Sequence, residues 1–149
     1  MKKTFVVGLA LLLGACAMNG GKGTADNAKM TMSTSVPLAG TSWTLNKLGD
    51  VAVTVEAGQR EPFLSLDAAE KRASGFAGCN MFSGPYQLSD DGKLTFGPLA
   101  MTRMACAPGM SIEGGYANAL RDAKTYSIAD SQLTLMNAEG KPLATFNAK

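Results

Sequence analysis

The sequence predicts a mainly β domain of α+β type: a small curled antiparallel sheet or small barrel with one helix packed on it. Three observations predict it. From Thr41 onward, short runs alternate polar and apolar residues, the period of a strand with one buried face. Turn formers such as Asp90-Asp91-Gly92 separate those runs at short intervals. One stretch breaks the alternation, because Ile112, Tyr116, Leu120 and Ala123 recur at spacings of four, four and three, one face of a helix.

The elements follow in order. Residues 42–46 form a strand with Trp43 and Leu45 on one face. Residues 51–55 are β-branched at Val51, Val53 and Val55, which would share a face. Residues 62–66 continue the pattern, with Pro62 at the first position of a strand, where its missing N–H is tolerated. Residues 71–76 are a weaker strand. Asp90-Asp91-Gly92 joins residues 86–88 to 93–96 as a hairpin, and residues 99–104 are the next strand. The helix takes Ser111 as its N-cap. Gly114 and Gly115 weaken it by up to about 1 kcal/mol each, so tertiary packing must hold it. Residues 125–128, 132–136 and 142–146 close the domain as strands, the last two joined by a turn over residues 137–141.

Composition narrows the function. The chain has 149 residues, 14 basic and 12 acidic, and no histidine. Lacking histidine, it lacks the commonest general base, the Ser-His and Cys-His nucleophile pairs and the commonest transition-metal ligand. The expectation is a protein that is not an enzyme and carries no cofactor or metal. No basic run or patch marks a nucleic-acid partner.

The first residues are informative in another way. Lys2 and Lys3 precede an apolar run over residues 5–13, the layout of a secretory signal. That run is too short to span a bilayer, which needs about 20 apolar residues. Leu13-Gly14-Ala15-Cys16 resembles the bacterial lipobox. The resemblance implies cleavage before Cys16 and attachment of a diacylglycerol to its thiol. The chain then divides into a leader (1–15), a lipidated Cys16 with a flexible tether (16–37) and one folded domain (38–149). Without Lys2 and Lys3 the charges balance, so the lipid rather than electrostatic attraction anchors the protein. A tether of about 20 residues reaches roughly 25 Å. Ala17 follows Cys16; by the sorting rule general to lipoproteins, the absence of Asp there favours the outer membrane, facing the periplasm, in a Gram-negative cell.

With Cys16 lipidated, Cys79 and Cys106 remain. In an oxidising envelope this even pair reads as one disulfide. It would close a loop of roughly 27 residues, worth on the order of 3 kcal/mol in the chain-entropy model. A redox pair would be expected as Cys-x-x-Cys, and a metal site would need more ligands than two thiols.

Gly75-Phe76-Ala77-Gly78-Cys79-Asn80-Met81-Phe82-Ser83-Gly84-Pro85-Tyr86 and Thr102-Arg103-Met104-Ala105-Cys106 carry a family resemblance, with Glu113 and Leu120 downstream. Trp43 with Leu45 at the start and Leu133-Thr134-Leu135 near the end complete it. Over residues 38–146 the chain resembles the META domain, the family of HslJ-like envelope lipoproteins. The resemblance implies a lipocalin-like half-barrel wrapped against a helix and no established enzyme activity. It also implies a role in stress tolerance, antibiotic tolerance included, and a proposed likeness to secretion pilotins.

Gly75, Gly78 and Gly84 surround Cys79-Asn80 and are read as a bend or bulge with positive φ, bringing Cys79 to Cys106. Arg103 is read as a structural ion pair, with Glu113 its candidate partner. Arg103, Asn80 and Glu113 are also the residues that would contact a ligand or partner. Asp67, Glu70, Asp90 and Asp91 are solvated turn residues. Met81, Met101, Met104 and Met110, with Phe76, Phe82, Tyr86 and Phe96, are read as core. The function expected is a monomeric, membrane-anchored binding or assembly-support module for an envelope protein partner. A carrier of a small apolar ligand and a pilotin-like secretion accessory are the alternatives.

Overall fold

A computed structural model describes residues 35–106 and 110–149. The leader, Cys16 and most of the tether lie outside the described residues. The strands are β1 (Ser42–Leu48), β2 (Val51–Ala52), β3 (Phe63–Asp67), β4 (Arg72–Phe76), β5 (Met81–Leu88), β6 (Leu94–Phe96), β7 (Ala100–Met101), β8 (Thr125–Ala129), β9 (Gln132–Met136) and β10 (Pro142–Ala148). The helix α1 (Met110–Asp122) lies between β7 and β8.

The sheet runs β6-β5-β4-β3-β1-β10-β9-β8, with β2 paired to β1 and β7 to β5. Every pairing is antiparallel. Two meanders, β3–β6 and β8–β10, are therefore joined by the N-terminal strand β1. The sheet curls until its ends meet. Lys93 bridges Thr125, and the Leu94 N–H donates to the Lys124 carbonyl at 3.0 Å. The result is a nearly closed, barrel-like sheet, as the alternation predicts.

Alternation explains the filling. Trp43 and Leu45, Leu64 and Leu66, Leu133 and Leu135, and Phe146 are all buried on the inner face. Trp43 Nε1 donates to the Leu38 carbonyl at 2.8 Å, so the indole is buried with its polar atom satisfied. The α1 face of Tyr116, Ala119 and Leu120 completes this core. Phe82 meets the Tyr116 ring edge-on at 5.5 Å and 88°, and Phe146 meets it at 5.7 Å and 53°. The helix thus packs against strands of both meanders, lying across the inner side of the curl.

Two strand glycines are explained by space. A Cβ on Gly75 would lie 2.1 Å from the Phe63 carbonyl oxygen and 2.6 Å from Phe82 Cζ. One on Gly84 would lie 2.5 Å from the Pro98 carbonyl oxygen. Both sit inside strands, so the expected bend with positive φ holds only for Gly78, at φ 106°. Pro85 is tolerated inside β5 because its backbone faces Gly97, just past the end of β6.

Four expectations need correction. The strand expected over 51–55 pairs only at Val51–Ala52, because β3 and β2 share one edge of β1 and Asn46 sits at a bulge. The strand expected over 99–104 pairs only at Ala100–Met101; beyond Thr102 the chain is held by a side chain, described below. Ser111 falls inside the first turn of α1 rather than at its N-cap. The methionines are not all core. Met81, Met104 and Met110 are 38%, 56% and 53% exposed, and only Met101 packs against the core. Register decides the case of Met81, which pairs with Phe76 on the face opposite Phe82. Phe82 and Tyr86 are buried, whereas Phe76 and Phe96 are half-buried.

Gly114 is exposed and a Cβ there meets nothing within 4 Å. Gly114→Ala should therefore raise stability by about 0.5–1 kcal/mol in chemical denaturation. A loss would show that α1 is not a regular helix at that point. The Tyr116 hydroxyl is buried without a hydrogen-bond partner among the described residues, and burial pushes its pKa well above the ordinary tyrosine value. Burial, then the Asp67 charge, raises that of Tyr86 as well. A raised folded-state pKa means the folded state binds the proton more tightly. Stability is thus fully present below about pH 10 and falls as pH rises above it. Tyr116→Phe should hold or raise stability at pH 7 and make the alkaline fall shallower. An unchanged alkaline slope would count against the burial of that hydroxyl.

Candidate functional site

The two sequence blocks meet at the start of β5. Cys79 and Cys106 are joined by a disulfide across 27 positions, with Cα atoms 5.7 Å apart. Cys79 is buried and Cys106 half-buried. Gly78 turns the chain into Cys79, and the Ala77 N–H donates to the Asn80 carbonyl at 2.9 Å to close the turn.

Asn80 does more than flank the disulfide. Its Oδ1 accepts from the Thr102 hydroxyl at 2.8 Å and from the Met104 N–H at 2.7 Å. Its Nδ2 donates to the Met104 carbonyl at 3.1 Å and to the two Glu113 carboxylate oxygens at 3.2 and 3.0 Å. Its backbone N–H donates to Glu113 Oε2 at 2.9 Å. One buried amide therefore ties three things together: the start of β5, the segment after β7 and the first turn of α1. Donors and acceptors of the amide are all used, which is how a buried amide avoids a desolvation penalty. Glu113 in the first turn also complements the positive end of the helix.

The structure thus brings Asn80 and Glu113 together but turns their polar atoms toward each other. It does not join Arg103 to them. Glu113 is taken by Asn80 rather than by Arg103, which is exposed. Among the described residues the ion pairs are Lys93–Asp91, Arg121–Asp122 and Lys149–Glu61, all at the surface. Such pairs contribute little.

The remaining carboxylates occupy turns. Asp67 Oδ1 accepts from the Ala69 and Glu70 N–H groups at 2.8 and 2.9 Å. Asp91 is bonded by Lys93 and Ser89, which lower its pKa to about 2. Among the described residues no three His, Cys, Asp or Glu side chains gather as metal ligands. No described helix is long and apolar enough to cross a membrane.

Two surface features were not anticipated from the sequence. Arg60, in the loop before β3, stacks over the rings of Phe63 and Phe76 at 5.0 and 5.2 Å. Those rings are neighbours only because Phe63 pairs with Phe76 across β3 and β4. The second feature is an open groove of about 430 Å³ between β2 and the first turn of α1, lined by Leu48, Val51, Ala52, Val53, Thr54, Ser111 and Ile112. Val51 is 70% exposed beside it. The valine pattern was legible as a strand; that its apolar face lines an open groove was not.

Asn80→Asp tests the amide's role. It replaces the Nδ2 donor with an acceptor facing Glu113, so two carboxylates oppose each other. Stability should fall by about 2–3 kcal/mol at neutral pH, and the loss should shrink as acidification neutralises one of them. A loss independent of pH, read by denaturant titration at pH 7 and pH 4, would contradict the contact.

The META domain family model matches residues 36–149. A protein from Burkholderia xenovorans, solved by NMR, is 38% identical, with a TM-score of 0.60 over 75% of this chain and 83% of that chain. A second NMR structure is 31% identical, with a TM-score of 0.58 over 74% of this chain and 90% of that one. No curated protein matches the chain at a significant level. Family model and solved relatives agree with the glycine-rich cysteine block, the second cysteine and the curled sheet: the chain belongs to the META domain family.

Proposed function

We propose that the protein is a non-enzymatic, lipid-anchored module of the bacterial cell envelope that binds a protein partner and supports the envelope under stress. The observation that carries the binding role is the contrast between interior and surface. Trp43, Tyr116, Phe146 and six leucines fill the inside of the curl, all fully buried. A carrier of an apolar molecule needs an enclosed cavity of several hundred cubic ångströms. Among the described residues an apolar space lies outside the curl, in the open groove beside β2. An exposed apolar surface on a small domain marks a site of association. The absence of histidine in the chain supports a role without catalysis. The leader (1–15) and the Leu13-Gly14-Ala15-Cys16 junction that follows its apolar run support anchoring, and Ala17 supports the outer membrane.

The test is crosslinking in intact cells, with the wild type and Cys16→Ser compared in membrane and soluble fractions. One dominant crosslinked protein with the wild type, and release of the variant from membranes, are expected. A variant that still sediments with membranes would overturn the lipid anchor. No partner above background would overturn the binding role.

A further inference from the structure

We infer that the outer edge of β2 is a strand-addition site for an extended, apolar peptide segment flanked by basic residues; this rests on the protein-binding reading above. Backbone geometry comes first. Ala52 pairs with Lys47 and Val51 with Leu48, and the Val53 N–H donates to the Asn46 carbonyl at 2.9 Å. In an antiparallel pair, backbone groups of alternate residues face the same neighbour. Val51 and Val53 thus face β1, and the N–H and C=O groups of Ala52 and Thr54 face away. Among the described residues no backbone group bonds to them. β3 leaves β1 at Thr44 and β4 follows β3 only to Phe63, so neither flanks β2.

Side chains agree with the backbone. Leu48, Val51, Val53 and Ile112 line the groove of about 430 Å³ that this edge borders. Residues 51–55 contain no charge and no proline, the devices that normally blunt an exposed edge. A strand laid there would bond Ala52 and Thr54 and place every second side chain in the groove, the usual logic of strand addition.

Charge selects the occupant. Exposed Asp50 and Glu56 bracket the edge. Lys47, opposite Ala52, is a single cation between them. A second copy pairing Ala52 with Thr54, antiparallel about Val53, would set Asp50 of each copy against Glu56 of the other. Like charges directly opposed disfavour that pairing. A segment with Lys or Arg six positions apart meets both carboxylates.

The probes are two capped heptapeptides, KVTVTVK and EVTVTVE, titrated into the 15N-labelled full chain while amide exchange is followed. KVTVTVK should slow exchange at Ala52 and Thr54 at least tenfold, and EVTVTVE should bind at least tenfold more weakly. Thr54→Pro removes an outward N–H without touching the β1 ladder; it should abolish the protection and leave the melting midpoint unchanged. Charge reversal at Asp50→Lys with Glu56→Lys should exchange the two peptides' ranks. No protection at Ala52 and Thr54 overturns the site. Equal binding of both peptides overturns the charge rule, and protection without peptide in a dimer makes a second copy the occupant. A crosslinked partner in cells that survives Thr54→Pro overturns this edge while leaving the binding role standing.

Discussion

The pairing of β1 with both β3 and β10 is the constraint on which the rest depends. Without it the domain is two meanders, each with one apolar face and no opposite wall. With it, the inner faces of both meanders converge on one core. Trp43 lies near the start of this strand, buried and bonded to the Leu38 carbonyl just upstream. Its neighbour Leu45 pairs with Phe146 on one side, and Trp43 pairs with Leu64 on the other. Large apolar side chains from distant parts of the sequence thus meet around one strand, and truncating such residues typically costs several kcal/mol.

A second knot holds the helix to that frame. The disulfide and the Asn80 amide act on the same short segment in different ways. The disulfide restricts the unfolded chain, whereas the amide supplies partners for the backbone groups of Met104 and for the Glu113 carboxylate. Together they bring the first turn of α1 to the start of β5. Tyr116, one turn further along, is then delivered between Phe82 and Phe146. The residues that looked most like a site, Asn80 and Glu113, are mostly concerned with this positioning. Their polar atoms have little left to offer a ligand.

The apolar surface instead lies where the sheet changes partners. β1 gives its first half to β3 and its second half to β2, and the bulge at Asn46 separates the two. That exchange leaves β2 without an outer neighbour and opens the groove beside the first turn of α1. Gly115 permits the close approach there, since a Cβ would stand 3.0 Å from Leu48 Cδ1. The same arrangement that closes the core therefore leaves an apolar strip at its margin.

Local pattern alone determined the β character, the hairpins around Asp90-Asp91-Gly92 and residues 137–141, and the helical face of Tyr116 and Leu120. Those signals are carried by residues a few positions apart, where periodicity and turn chemistry act directly. The cysteine pairing was legible too, because only two cysteines remained after Cys16 was set aside. Strand length, the neighbours of β1, the exposure of Met81 and Met104, and the choice of Asn80 over Arg103 as the partner of Glu113 were decided by the tertiary structure. Each depends on register between strands or on contact between separate segments, which short-range patterns do not encode. Val51 and Val53 show the difference most plainly: alternation made them a strand face, and only the assembled sheet set that face on an open groove.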